Sequence, residues 1–107
     1  MKLDLRVINE KVMPITLLDG TAIHVKKPSR LFLNEIEAFK QRDHKTLRFE
    51  DIEAQTEEIT LKILNNNTEG RVFDSIYLNK EGIDYIIQTQ IFKAYFEFIF
   101  ELMTNPN

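Results

Sequence analysis

The chain has no cysteine, only three glycines and three prolines, and no long uncharged apolar run. Without cysteine there is no disulfide framework, no thiolate zinc site and no thiol redox chemistry, which suits a reducing cytoplasm. The scarcity of glycine and proline, beside 43% hydrophobic and 29% charged residues, excludes a disordered tail and describes a globular domain. Gly20, Gly70 and Gly82 lie far apart, so no glycine-rich loop can cradle a phosphate. Asp4 follows closely on the start, which leaves no apolar core for a signal peptide, and the longest charge-free stretch of the most apolar segment, 85–92, cannot span a bilayer. The length, 107 residues, predicts one domain covering 1–107.

Charge is unevenly spread between the two halves. Up to Lys45 there are nine Lys or Arg against six Asp or Glu, a balance of +3; from Thr46 onward there are five against eleven, a balance of −6. Such polarity suits head-to-tail association or a charged partner, although salt screens it beyond about 8 Å.

Leu3, Leu5 and Val7 alternate with polar neighbours, the period of a half-buried strand. Apolar runs at 15–18 and 21–25 then flank Asp19-Gly20, a dipeptide that marks a hairpin whose two turn residues would both take positive φ. Pro14 fits an edge or the start of a strand, because it lacks a backbone donor. Pro28 stops extension and Ser29 caps a first helix that buries Phe32, Ile36 and Phe39 and ends near Gln41. Thr46 is the predicted cap of a second helix, with Phe49, Ile52, Thr56, Ile59 and Ile63 along its core seam. Asn65-Asn66-Asn67 and Gly70 terminate it, since Asn and Gly tolerate the left-handed conformation. Ile76-Tyr77-Leu78 reads as a linker or helical turn, and Asn79 as the cap of a segment that begins at Lys80 and runs into the last helix. Gly82 is unfavourable inside that helix by about 1 kcal/mol, which predicts a bend or a later start. The predicted fold class is α+β, mostly α: a small antiparallel hairpin or meander over 1–27, then three or four helices over 29–104.

Chemistry-bearing residues are sparse. Glu50, Glu53 and Glu57 share a helix face, but acidic residues in first turns answer the positive end of the helix dipole, and no His stands at helical spacing to complete a metal site. The 65–76 segment mimics part of a calcium loop and then fails, with Asn65 in place of Asp at the first position and Ile76 in place of the bidentate Glu. His24 and His44 have no nucleophile motif to serve and read as surface histidines. Lys26, Lys27 and Arg30, and Lys40, Arg42, Lys45 and Arg48, form two basic clusters, yet the isoelectric point of about 5.4 argues against nucleic acid. The chain is expected not to be an enzyme and to need no cofactor or metal.

The informative surplus lies from Ile83 to Met103. Ile83, Ile86, Ile87, Ile91, Ala94, Tyr95, Phe98, Ile99 and Leu102 follow helical spacing and predict a buried face. Tyr85, Phe92, Phe96, Phe100 and Met103 form a second stripe, leaving Gln90, Lys93, Glu97 and Glu101 as a narrow polar ridge. Each large apolar side chain gains about 1.5–3 kcal/mol on full burial, so a wet second stripe calls for a partner or a like subunit. The residues predicted to bind it are Tyr85, Phe92, Tyr95, Phe96 and Phe100.

The Leu17-Leu18-Asp19-Gly20-Thr21 hairpin, the Val25-Lys26-Lys27-Pro28-Ser29 exit into a helix, the acidic second helix and the final apolar helix together resemble the small tail assembly chaperones of long-tailed bacteriophages and prophages of Gram-positive hosts. The likeness spans most of the chain and contains no catalytic motif. It implies a non-catalytic protein of the host cytoplasm, absent from the mature virion, that binds tape-measure protein and tail-tube subunits through the aromatic helix and forms a homo-oligomer, with no membrane or nucleic-acid partner. The alternative is a small phage or bacterial regulator that dimerises through the last helix and binds DNA or an acidic partner.

Overall fold

The computed structural model describes residues 3–42 and 46–105. It contains a two-stranded antiparallel hairpin and five helices, in the order α1 (Leu5–Glu10), β1 (Val12–Thr16), β2 (Ala22–Lys26), α2 (Arg30–Lys40), α3 (Phe49–Asn65), α4 (Ser75–Lys80) and α5 (Tyr85–Thr104). No helix among the described residues is long and apolar enough to cross a membrane.

The hairpin stands where the sequence places it, with Val12 opposite Lys26 and Thr16 opposite Ala22. Its turn differs. Leu17 and Thr21 close the ladder at 2.8 Å, and Gly20 N–H donates to the Leu17 carbonyl at 2.9 Å. Only Gly20 has positive φ, at 88°, so Asp19 stays right-handed and the connection is a three-residue turn with a glycine bulge. Asp19 serves the turn through its side chain, accepting from Thr21 N–H at 2.9 Å.

The predicted strand at Leu3–Val7 is instead the start of α1. Asp4 caps that helix by accepting from Arg6 N–H at 3.0 Å. Alternation makes a strand only where an edge receives it, and the register shows why β1 does not. Leu17–Thr21 is a bonded pair, so Ile15 and Met13 also point their N–H and C=O groups at β2, while Thr16, Pro14 and Val12 face outward. Proline therefore occupies the centre of the outer edge, where it loses no hairpin bond and offers no donor to a further strand.

The other edge is closed by distant residues. Lys26 N–H donates to the Asn66 carbonyl at 2.8 Å, and Thr68 N–H to the His24 carbonyl at 2.9 Å, forming a single bridge between Val25 and Asn67. No asparagine here is left-handed, contrary to the sequence expectation. Each works through its amide. Asn65 accepts from Phe73 N–H and donates to its carbonyl, Asn66 donates to the Lys26 and Lys27 carbonyls, and Asn67, buried, joins Leu64 and Arg71.

Ser29 caps α2 as predicted, through Phe32 N–H at 3.2 Å, and Phe32, Ile36 and Phe39 are its buried face. For α3 the cap position is Arg48 instead of Thr46, with no side-chain cap bond; Thr56, Ile59, Thr60, Ile63 and Leu64 are buried, whereas Phe49, at the first turn, is 60% exposed. The segment after it is a true helix, α4, capped by Asp74. Asn79 lies inside α4, and the run from Lys80 into α5 is broken. Gly82, at φ 72°, donates to the Asn79 carbonyl, and Ile83 N–H reaches back to the Leu78 carbonyl at 2.9 Å. That pattern ends a helix with a left-handed glycine and packs Ile83 beside Leu78, both buried. Asp84 then caps α5 by accepting from Ile87 N–H at 3.0 Å.

The core joins Ile23 and Val25 of the hairpin to Ile36, Ile63, Leu64, Leu78, Tyr95 and Ile99. Tyr95 crosses it and donates its hydroxyl to the Lys26 carbonyl at 2.7 Å, tying α5 to the end of β2. Burial holds that phenol well above its ordinary pKa.

Candidate partner-binding surface

Two stripes on one 20-residue helix cannot both be buried by a single layer of neighbours. In α5 the first stripe is only partly core: Tyr95 and Ile99 are buried, Ile87, Ile91, Phe98 and Leu102 are half-buried, and Ile86 is 69% exposed. Ala94 is exposed as well.

The predicted binding residues separate into three groups. Tyr95 is core, 1% exposed, and is not available to a partner. Tyr85, Phe92 and Phe96 are half-buried in two groups of rings contributed by three helices. Phe92 lies 5.2 Å from Phe39 of α2 and 4.9 Å from Phe96; Tyr85 lies 5.2 Å edge-on from Phe49 of α3. These are the separations and tilts at which ring edges meet ring faces favourably. Phe100 stands apart toward the end of α5, 63% exposed, with Met103 beyond it at 67%.

Between the two ring groups lies a groove of about 200 Å³ lined by Phe39, Ile52, Thr56, Tyr85, Thr89 and Phe92. Its walls are apolar apart from two threonines and the tyrosine hydroxyl. Exposed Phe49 continues this apolar surface beside Tyr85, and Ile86 is the next residue of α5. The α3 contribution was hidden in the sequence because Phe49 was assigned to the core seam. The structure starts α3 at Phe49, directly after the cap position Arg48, whereas the spacing in the sequence starts it from Thr46 and so sets Phe49 within the seam.

The described members of the basic clusters, Lys26, Lys27, Arg30, Lys40, Arg42 and Arg48, are exposed, and some of them make contacts within the chain. The Lys40 ammonium sits 4.1 Å from the Phe96 ring centre, covering an aromatic face. Lys26 gives both its main-chain groups to the Asn66 and Tyr95 contacts. Arg42 lines a polar cleft between α2 and α3, where Lys62 bridges Glu35 and Glu58. Contact with Glu35 raises the Lys62 pKa.

His24 has a partner that sequence spacing did not reveal. Its Nδ1 lies 2.7 Å from Glu69 Oε2, while its backbone N–H donates to Oε1 at 2.8 Å. The backbone bond, then the ring bond, hold the Glu69 carboxyl down at about 2. This carboxylate fastens the 65–71 loop to β2. His44, with Asp43 and Lys45, lies outside the described residues.

Glu50 and Glu53 are exposed on α3 and Glu57 is half-buried. Among the described residues no group of three or more His, Asp or Glu is placed to hold a metal ion. The Asn65 and Asn67 side-chain oxygens are turned to main-chain N–H groups. Comparison of the chain with protein-family models, curated proteins and solved structures returned no match.

Proposed function

We propose that the chain is a tail assembly chaperone of a long-tailed phage or prophage, acting in the host cytoplasm to capture an amphipathic helical segment of the tape-measure protein and to receive tail-tube subunits. The observation that carries this reading is the aromatic groove between α2, α3 and α5, continued by exposed Phe49. At about 200 Å³ it is smaller than the 300–1,000 Å³ typical of small-molecule sites and better suited to an apolar anchor side chain of a helix. No step of chemistry is required. Binding follows from covering rings that water otherwise touches, at about 25 cal/mol per Å² of apolar surface removed.

Phe92 and Phe96 also pack inside the chain, so serine there would disturb the fold together with the surface. Phe49 and Ile86, 60% and 69% exposed, are the positions where serine disturbs the interior least. Co-expression with the tape-measure protein of the same phage is expected to give a soluble complex, and Phe49→Ser with Ile86→Ser to reduce its recovery while the circular dichroism spectrum is unchanged. Failure of the native chain to retain tape-measure or tail-tube protein, together with salt-sensitive DNA binding, would favour the regulatory alternative.

A further inference from the structure

We propose that the polar cleft between α2 and α3 binds the carboxyl terminus of a peptide chain ending in an apolar residue, with Arg42 on the carboxylate, Gln55 on the last peptide unit, and Phe39 and Ile59 under the side chain. The cleft holds about 330 Å³, at the small end of the range for ligand sites. Along α2 it is lined by Glu35, Phe39 and Arg42, and along α3 by Gln55, Ile59 and Lys62, each set at the spacing of one helix face. Lys62 is bonded to Glu35, and α3 returns alongside α2. A seven-residue step forward from Glu35 and the same step back from Lys62 therefore set Arg42 level with Gln55.

The two ends of the cleft differ. At one, Lys62 bridges Glu35 and Glu58, so these charges are answered within the chain. At the other, the Arg42 guanidinium meets no carboxylate among the described residues, and Gln55 Oε1 is buried without a partner. Gln88 Oε1 shares that condition, but its amide is anchored through Nε2 to the Ile83 carbonyl. Gln55 is the one that borders a cleft.

An amide oxygen shut in without a donor is destabilising where it rests, and turning the amide over would orphan the NH2 group instead. Swinging the side chain into the cleft releases both halves. There Gln55 offers a donor and an acceptor side by side. A phosphate or a lone carboxylate brings acceptors only and leaves the Gln55 oxygen unanswered. A terminal residue brings both kinds of group: its carboxylate fits the Arg42 fork, and its peptide unit supplies an N–H and a C=O to the Gln55 amide. Buried Phe39 and Ile59 give its side chain an apolar floor. Glu35 and Glu58 at the far end disfavour a second acidic group. Phe39 also borders the aromatic groove, but Arg42 and Gln55 line the cleft alone, so the two sites stand or fall separately.

N-acetylleucine carries the carboxylate, the amide and the apolar side chain in one small probe. Titrated into the full native chain and followed by NMR, it is expected to shift the side-chain resonances of Arg42 and Gln55 with a dissociation constant of about 1 mM. N-acetylleucinamide, which lacks the charge, and isocaproate, which lacks the peptide unit, should each bind roughly tenfold more weakly or worse. An acetylated pentapeptide ending in leucine should bind at least as tightly as N-acetylleucine. Arg42→Gln and Gln55→Leu should each abolish the response, and Gln55→Leu should melt at no lower temperature than the native chain, because leucine leaves no buried oxygen without a donor. No shift at Arg42 and Gln55, equal binding of the three small compounds, an undiminished response in both variants, or binding of N-acetylleucine without the pentapeptide would overturn the proposal.

Discussion

Glu69 and Tyr95 show how single side chains take over work that a longer sheet would leave to its backbone. Glu69 accepts from both the amide and the ring of His24, with Thr68 Oγ1 at 3.0 Å from the same carboxylate. Its folded pKa, about 2, lies below the ordinary 4.5, so the stability it contributes is present above pH 4.5 and is lost as pH falls toward 2. Thermal melts across that window should show a component of acid destabilisation that Glu69→Gln lacks. Melting curves of the two proteins that run parallel from pH 5 to 2 would contradict the assignment. Tyr95→Phe removes the bond to the Lys26 carbonyl and the contact of the phenol with the Asn66 side chain, while that carbonyl keeps the Asn66 amide at 3.1 Å. The expected cost in urea unfolding is about 1 kcal/mol, whereas Tyr95→Ala opens a core cavity at about 3–5 kcal/mol.

At the scale of elements, the outer edge of β1 is guarded by Pro14, whose missing donor lies where another strand would begin to pair. Pro14→Val should leave the hairpin intact, lower stability by no more than about 1 kcal/mol, and raise concentration-dependent scattering beyond any discrete dimer. Unchanged scattering would show that the edge is protected by something else. The elements themselves were readable to different degrees. Ser29, Asp19-Gly20 and the Phe32-Ile36-Phe39 spacing are local signals, and the hairpin and α2 follow from them. Leu3–Val7 misled because alternation reports a face and not the presence of a neighbouring strand. At Gly82 the expected later start of the last helix is what the structure has, and the full break was legible in principle, since Leu78 and Ile83 flank it at the spacing of a glycine helix end and Asp84 follows as a cap. Of the site, the helix that carries it could be read directly. Its division into core Tyr95, groove-lining Tyr85 and Phe92, Phe96 packed on Phe92 beneath Lys40, and open Phe100 depends on α2 and α3, whose approach no periodicity along α5 encodes.

The whole molecule is a slab of 47 × 34 × 19 Å with a Cα radius of gyration of 14.7 Å, against about 13 Å for a compact chain of this length. In so thin a body the hairpin has few helical neighbours, and the link from β2 to the 65–71 loop becomes its second support. The amides of His24 and Lys26 should therefore exchange with solvent only when α3 opens, and native-state hydrogen exchange should place them in the same cooperative unit as Ile63 and Leu64. Earlier exchange of those two amides would detach the hairpin from that unit. The link also imposes a timetable on synthesis. Asn66 lies 40 residues beyond Lys26, so at roughly 5–20 residues per second a newly made hairpin waits for seconds before that edge is closed. During that wait both margins of the nascent sheet are bare, and only the one bearing proline has a permanent defence. The other is protected by haste, in the interval between the emergence of Lys26 and that of Asn67 from the ribosome, when the nascent hairpin is open to mispairing.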